Sequence, residues 1–374
     1  MGVVFMKNSK TAPVHGGRVY EAAASLGRPW EEIIDFSANI NPLGQPKGLK
    51  EAVFSEFERT LHYPEIRAES LTEALAEQAG LPVECVLPGA GSSPQLYLIG
   101  RALPASRPVI IGPAFAEYEA SLVSAGRVPT YVLTREEDDW LVNNDTVSRL
   151  FEERPDMVFL AHPANPTGRL VPFEVLSELA RECGRRGVWL IVDEAFIDFT
   201  EHGRSLITMV QSQPRLIVLR SLTKIFALPG LRLAFLAAHP EVLGHMAGQI
   251  EPWSLSSLAI SAGHFCLKQK SFRENTAGEV ALLRQYLTNG LEKLNFCRIF
   301  PSESNYVLIK LNRGLDYRDY MAALFQEGIL VRDASNFKGL GPGFLRLAVR
   351  PTAETDLLIT NSQKYLENRN AGTA

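Results

Sequence analysis

From about Pro108 the chain alternates short β-rich runs with longer stretches of helical spacing. That alternation builds a parallel sheet covered by helices on both faces, because a parallel crossover needs a dozen or more residues and a helix supplies them. The strands expected from it are Val109–Gly112, Met157–Ala161, Val188–Val192, Leu216–Arg220 and Leu231–Ala237. Several are apolar throughout, the pattern of strands buried on both faces. Between them Pro172–Arg186 reads as a helix, with proline at its start where no N–H is needed. The fold class is therefore α/β.

After Pro252 the texture changes. Helical segments at Ser254–Leu267 and Ser271–Leu294 precede strands at Tyr306–Leu311, Ile329–Arg332 and Phe344–Val349, the pattern of a smaller α+β unit. Earlier in the chain, Ser70-Leu71-Thr72-Glu73 has the spacing of a capping box and Gly80 suits a helix end, so a helix is expected between them. A chain of 374 residues, 46% hydrophobic, can hold a large domain and a smaller companion.

Charge narrows the partners. With 38 Lys+Arg against 42 Asp+Glu, a net charge of −4 and no long run of one sign, neither a nucleic acid nor a membrane surface is expected. A small molecule is. Cys85, Cys183, Cys266 and Cys297 are scattered without a C-x-x-C pair, which fits reduced thiols and supports no metal site. No apolar run approaches a bilayer span, and Met1–Lys10 lacks the apolar core of a signal peptide, so a cytoplasmic protein is expected.

Four segments carry chemistry: Gly89-Ala90-Gly91-Ser92-Ser93, Asn165-Pro166-Thr167-Gly168, Asp193-Glu194-Ala195-Phe196, and Ser221-Leu222-Thr223-Lys224 with Pro229-Gly230-Leu231-Arg232. The first leads into the helical run Pro94–Leu103 and offers N–H groups and hydroxyls to an anion, or is an ordinary capped helix start. Asp193 ends the most apolar strand, where α/β sheets bind ligands; it serves equally well as a cap or half of a structural ion pair. Lys224 follows a strand among Ser, Thr and apolar neighbours; taken alone it reads as a solvated surface lysine, or as an amine that, partly desolvated, loses its proton more easily and attacks an aldehyde.

In this order the four segments resemble the class I/II aminotransferases over nearly the whole chain. The resemblance implies the aspartate aminotransferase-like fold (fold type I), with a large, mixed but mostly parallel sheet domain, a smaller α+β domain, and a homodimer with active sites between subunits. It also implies pyridoxal 5'-phosphate (PLP) held as a Schiff base on Lys224, with Asp193 on the pyridine nitrogen and Asn165 on the phenolic oxygen. Gly91, Ser92, Ser93, Ser221, Thr223 and Arg232 match the family's phosphate cup, and Phe115 its ring-stacking aromatic. Tyr63 matches a tyrosine that reaches the phosphate from the partner subunit. Two departures stand out: Phe196 occupies the place of a tyrosine that touches the phenolic oxygen, and Ala164 precedes Asn165 where a second Asn is frequent. The first forfeits a hydrogen bond of about 1 kcal/mol.

The amino-terminal segment is similar to one group within that family. His15-Gly16-Gly17 and Asp35-Phe36-Ser37-Ala38-Asn39-Ile40-Asn41-Pro42-Leu43-Gly44 resemble threonine-phosphate decarboxylases of cobalamin biosynthesis. That group implies that His15, Gly16, Asn39, Asn165, Arg332 and Arg346 contact a phosphorylated amino acid, and that L-threonine O-3-phosphate becomes (R)-1-amino-2-propanol O-2-phosphate and carbon dioxide. Histidinol-phosphate aminotransferases share the other motifs and leave transamination with 2-oxoglutarate open, and a non-catalytic PLP-fold binding protein is a third reading. Independently of the resemblance, Arg332 and Arg346 on neighbouring strands suit a substrate with two anionic ends, or are surface charges at strand ends. The expected division is an arm over 1–44 that contributes to the active site, a large domain over 45–252 and a small domain over 253–374. Lys338-Gly339-Leu340-Gly341-Pro342-Gly343 opens no helix and reads as a connector, or a lid, without chemistry of its own.

Overall fold

The computed structural model describes residues 15–371, so Met1–Lys10 lies outside the described residues. A two-residue strand, β1 (Ile34–Asp35), comes first. The large sheet follows as β2 (Val86–Gly89), β3 (Pro108–Gly112), β4 (Thr130–Leu133), β5 (Met157–Ala161), β6 (Trp189–Asp193), β7 (Leu216–Ser221) and β8 (Ala234–Ala238). Its order is β2-β8-β7-β6-β5-β3-β4, with β3 to β7 parallel and β8 antiparallel to both neighbours.

Every residue of β3, β5, β6 and β8 is buried, which explains why these strands are apolar on both faces. Alternate residues feed two cores: Val109, Val158, Leu190 and Val218 on one side, Ile110, Phe159, Ile191 and Ile217 on the other. Because β4 and β5 flank β3 on opposite sides, the strand order reverses there. α/β sheets bind ligands in the crevice beyond the carboxyl ends at such a reversal.

The carboxyl-terminal part contributes β9 (Cys297–Ile299), β10 (Tyr306–Leu311), β11 (Ile329–Leu330), β12 (Arg332–Asp333) and β13 (Phe344–Ala348). Four of these form an antiparallel sheet in the order β12-β13-β10-β9, while β11 pairs in parallel with β1. Val307, Ile309, Leu345 and Leu347 pack with Leu287 and Leu291 of the helix Lys270–Leu294. Phe36, fully buried beside β1, belongs to the same core and ties the amino-terminal segment to it. No helix among the described residues is long and apolar enough to cross a membrane.

Three local expectations are corrected. The strand expected from Leu231 starts at Ala234, because Arg232 sits at φ 57 and cannot extend a strand. The strand expected over Ile329–Arg332 is two, β11 and β12, since the chain changes pairing partner at Val331. The Ser70 capping box does not form: the helix runs Glu69–Ala79, and Glu65 accepts from the Ser70 N–H at 2.8 Å and hydroxyl at 2.7 Å. Gly80 ends that helix in the left-handed conformation, as expected.

Candidate active site

A cavity of about 380 Å³ opens at the carboxyl ends of the parallel strands. β6 delivers Asp193 to it, a side chain buried to 8% exposure. Its Oδ1 accepts from the Ala195 N–H at 3.0 Å and its Oδ2 from the Tyr118 hydroxyl at 2.7 Å. Burial pushes this carboxyl up, and those two donors and the Lys224 ammonium oppose the push.

β7 runs directly into the short helix Leu222–Ile225, which carries Lys224 into the cavity wall. Burial, then the positive charges of Arg346 and Arg232, lower its amine to about 8, with Asp193 pulling the other way. An amine so easily deprotonated is a nucleophile near neutral pH. The amino-terminal segment clamps this turn: the Asn41 N–H donates to the Lys224 carbonyl at 3.2 Å and its side-chain amide to the Ile225 carbonyl at 2.6 Å.

At one end of the cavity lie Ser92, Ser93, Thr223 and Arg232. The helix Ser92–Ala102 begins there without a side-chain cap, so its first N–H groups suit an anion. Gly91, just before it, has φ 94, and a Cβ on it would fall 2.4 Å from Arg232 Nη2. Both facts demand glycine. Ser221 is buried, is not among the residues lining this cavity, and shares a 2.8 Å hydrogen bond with the Thr223 hydroxyl.

Phe115, beyond β3, lines the cavity with its ring edge-on to Tyr118 at 5.9 Å. Asn165, beyond β5, is fixed by Arg346: Nη1 donates to Asn165 Oδ1 at 2.6 Å and Nη2 to the Ser37 carbonyl at 2.7 Å. Phe196 also faces the cavity and meets Tyr306 edge-on at 5.1 Å, while the Tyr306 hydroxyl donates to the Ala164 carbonyl at 2.9 Å.

The opposite wall is cationic. Arg332 and Arg346 are direct cross-strand partners on β12 and β13, and alternation along β13 turns Arg346 away from the core that holds Leu345 and Leu347. Arg332 donates to the Asp333 carbonyl and to Asn336 Oδ1 at 3.0 Å, over the Phe337 ring. Burial, then the charge of Arg332, push the Arg346 guanidinium down to about 10. His15 also lines the cavity and pairs with Glu117 at 2.8 Å, its ring 5.7 Å from that of Phe115. A Cβ on Gly16 would lie 2.2 Å from the Ser37 carbonyl oxygen. Asn39 is buried, and neither atom of its amide has a hydrogen-bond partner among the described residues.

One cavity thus gathers fourteen of the residues singled out from the sequence; Gly91 and Ser221 do not line it. Tyr63 lies elsewhere, 80% exposed and stacked on Trp253 at 4.6 Å. Sequence reasoning missed Tyr118, Ser37, Asn41 and Lys338. Tyr118 follows Phe115 by three residues, in the first turn of the helix that Phe115 precedes, but nothing in sequence marks its aspartate partner. Lys338 belongs to the connector given no chemistry, yet it lines the cavity, 4.1 Å from the Tyr131 ring.

The site fits the cofactor that the resemblance implies. It holds a buried amine of lowered basicity, a carboxylate beside it, an aromatic face and an uncapped helix start with an arginine. Because Arg346 occupies Asn165 Oδ1, the amide nitrogen of Asn165 is left as a donor.

Comparison with known proteins agrees. The family model for aminotransferase class I and II matches residues 31–360. The threonine-phosphate decarboxylase of Salmonella typhimurium is 33% identical over 94% of this chain and 96% of its own. The crystal structure of the histidinol-phosphate aminotransferase from Clostridium acetobutylicum superposes with a TM-score of 0.83 at 25% identity, covering 90% of this chain and all of that one. That of the histidinol-phosphate aminotransferase from Sinorhizobium meliloti, in complex with pyridoxal-5'-phosphate, gives 0.84 at 20% identity over 98% of this chain and 99% of its own.

Proposed function

Because the chain belongs to the aminotransferase class I and II family and has the aspartate aminotransferase-like fold (fold type I), we propose that it holds PLP on Lys224 and decarboxylates L-threonine O-3-phosphate. The observation that carries the substrate is the placement of Arg332 directly opposite Arg346. Cross-strand partners stand only about 5 Å apart, so the two guanidinium groups suit one short molecule with an anion at each end. The relative from Salmonella typhimurium supports the same choice.

When bound, PLP supplies an electron sink for the pair left at the substrate's Cα. The chain's own residues decide what is left there. Arg346, buried and close enough to Lys224 to lower its basicity, takes the carboxylate. Arg332 takes the phosphate, and His15, which lines the same cavity, adds a donor. Gripping both ends sets which bond at Cα is aligned for cleavage. Asp193 holds a positive charge in a buried place and Asn165 donates from its free amide nitrogen. Lys224, with an amine near 8, gives a proton to Cα in place of the departing carbon dioxide, close to neutral pH. The product is (R)-1-amino-2-propanol O-2-phosphate, released with carbon dioxide.

The test is product analysis on purified protein with PLP. L-Threonine O-3-phosphate should yield carbon dioxide without a keto acid. Formation of glutamate from 2-oxoglutarate with histidinol phosphate, and no carbon dioxide from the threonine compound, would replace decarboxylation by transamination. A protein that shows the visible absorption of lysine-bound PLP but neither activity would be a binding protein.

A further inference from the structure

Tyr118 lies in the helix Ala116–Ser124 that follows β3, and it reaches across to the end of β6, where its hydroxyl donates to Asp193 Oδ2 at 2.7 Å. Both side chains are buried, at 1% and 8% exposure. The phenol ring stacks on Phe159 at 5.5 Å and meets Phe115 edge-on at 5.9 Å, so the hydroxyl cannot swing away without breaking its packing. Tyr118 also forms part of the cavity wall, next to the Phe115 ring.

A carboxylate in a dry place stays charged only if donors hold it. The Ala195 N–H, two residues along the same turn, serves Oδ1. Oδ2 depends on Tyr118, which comes from a different crossover. Two donors on two oxygens fix the plane of the carboxylate as well as its charge. Burial, then the negative Asp193, hold the phenol proton on Tyr118 at any working pH, so it is a constant donor.

We propose that Tyr118 is a positioning residue for the cofactor: its hydroxyl keeps Asp193 ionised and correctly turned to receive the protonated ring nitrogen of PLP. This rests on the cofactor reading and is independent of the reaction that follows.

Tyr118→Phe keeps the ring and removes the hydroxyl. Titration of the apo-protein with PLP, followed by absorbance, should show affinity weakened about tenfold, the worth of a hydrogen bond to a charged group. Without the donor the Asp193 carboxyl moves further up, so the loss of PLP affinity on acidification should begin about one pH unit higher. In an Asp193→Asn background the same substitution should change affinity less than about twofold, because the interaction it removes is already gone. A purely structural tyrosine would lower the melting temperature and leave the acid limb and this coupling unmoved.

If Tyr118→Phe does not fold, 3-fluorotyrosine at position 118 preserves the shape and strengthens the donor, and the acid limb should move to lower pH. A wild type that does not bind PLP defeats the cofactor reading itself. A wild type that binds it, with affinity and acid limb unchanged by either alteration, overturns this proposal alone.

Discussion

Arg346 and Asn165, 181 residues apart in the chain, share a 2.6 Å hydrogen bond at the floor of the cavity, and the same guanidinium reaches the Ser37 carbonyl at 2.7 Å. An asparagine amide is nearly symmetric in shape but not in chemistry. A cationic donor on one side forces the oxygen toward it and the nitrogen away. Arg346 therefore turns the Asn165 amide nitrogen outward as a donor, the group that the proposed function assigns to the ring's phenolic oxygen.

Arg346→Lys keeps the charge but offers one compact ammonium where a planar fork bridged two partners. Each lost charge-assisted bond is worth about 1.5–3 kcal/mol, so kcat/KM for L-threonine O-3-phosphate should fall by roughly 10- to 100-fold. Steady-state kinetics check this; a variant within about threefold of wild type would place the substrate's carboxylate elsewhere.

Five of the seven strands of the large sheet were legible because buried strands are apolar at nearly every position, and β5 and β10 match their expected limits to the residue; no strand was expected at the two edges, β2 and β4, which are short and carry Pro88 and the exposed Thr130. Errors fall where tertiary contacts override local pattern. Nothing in Leu231-Arg232-Leu233 announces the left-handed Arg232, whose conformation comes with the close approach of its guanidinium to Gly91. The Glu65 cap on the helix at Glu69 arises from a turn that reverses at Ala68, φ 54, ahead of an apparently good capping box. Site residues carried by motifs were readable. Those that act through another side chain, such as Tyr118 on Asp193 and Asn41 on the Lys224 turn, were not, since their partners lie 75 and 184 residues away and share no local spacing.

The amine of Lys224 sets a pH dependence. Its value of about 8 in the fold lies below the ordinary 10.5, through burial first and then Arg346 and Arg232. Capture of PLP requires the neutral amine, so the rate at which apo-protein gains visible absorbance should rise as pH climbs toward 8 and flatten above it. Removing a positive neighbour favours the protonated amine, so Arg346→Met should move that midpoint to higher pH. Linkage gives a second readout: between about 8 and 10.5 the unfolded chain binds one more proton than the fold, so apo-protein stability should rise with pH across that window. Lys224→Ala should abolish the absorbance and the Lys224 component of that slope.

Gly91→Ala tests the anion cup through the position of Arg232. Its φ of 94 carries a backbone penalty of about 1–3 kcal/mol for a residue with a Cβ. The added carbon, 2.4 Å from Arg232 Nη2, must also push the guanidinium aside. The expected result is a PLP affinity reduced at least about tenfold, from loss of one charge-assisted contact, with a lower melting temperature for the apo-protein. Arg232→Ala in the native background should reproduce the affinity loss while leaving the backbone penalty out. Equal PLP affinity in both variants and wild type would remove Arg232 from the cup.

Tyr63 decides whether two chains build one site. It is 80% exposed and stacked on Trp253, with Leu61 at 74% and Ile66 at 54% exposed nearby in the chain. The Trp253 N–H donates to the Ile66 carbonyl at 2.9 Å, so the patch is a connected piece of the fold. If this face meets a second copy and Tyr63 reaches the neighbouring cavity, Tyr63→Ala alone should weaken PLP binding without lowering the stability of the isolated chain. Mixing chains bearing Lys224→Ala with chains bearing Tyr63→Ala then gives a sharper readout. In a mixed dimer one cavity has both the lysine and the partner's tyrosine, so random exchange should restore roughly a quarter of wild-type activity from two impaired parents. Sedimentation should show a dimer in each case. Dimers that exchange chains but recover no activity would mean that Tyr63 serves its own fold and that each cavity is complete within one chain.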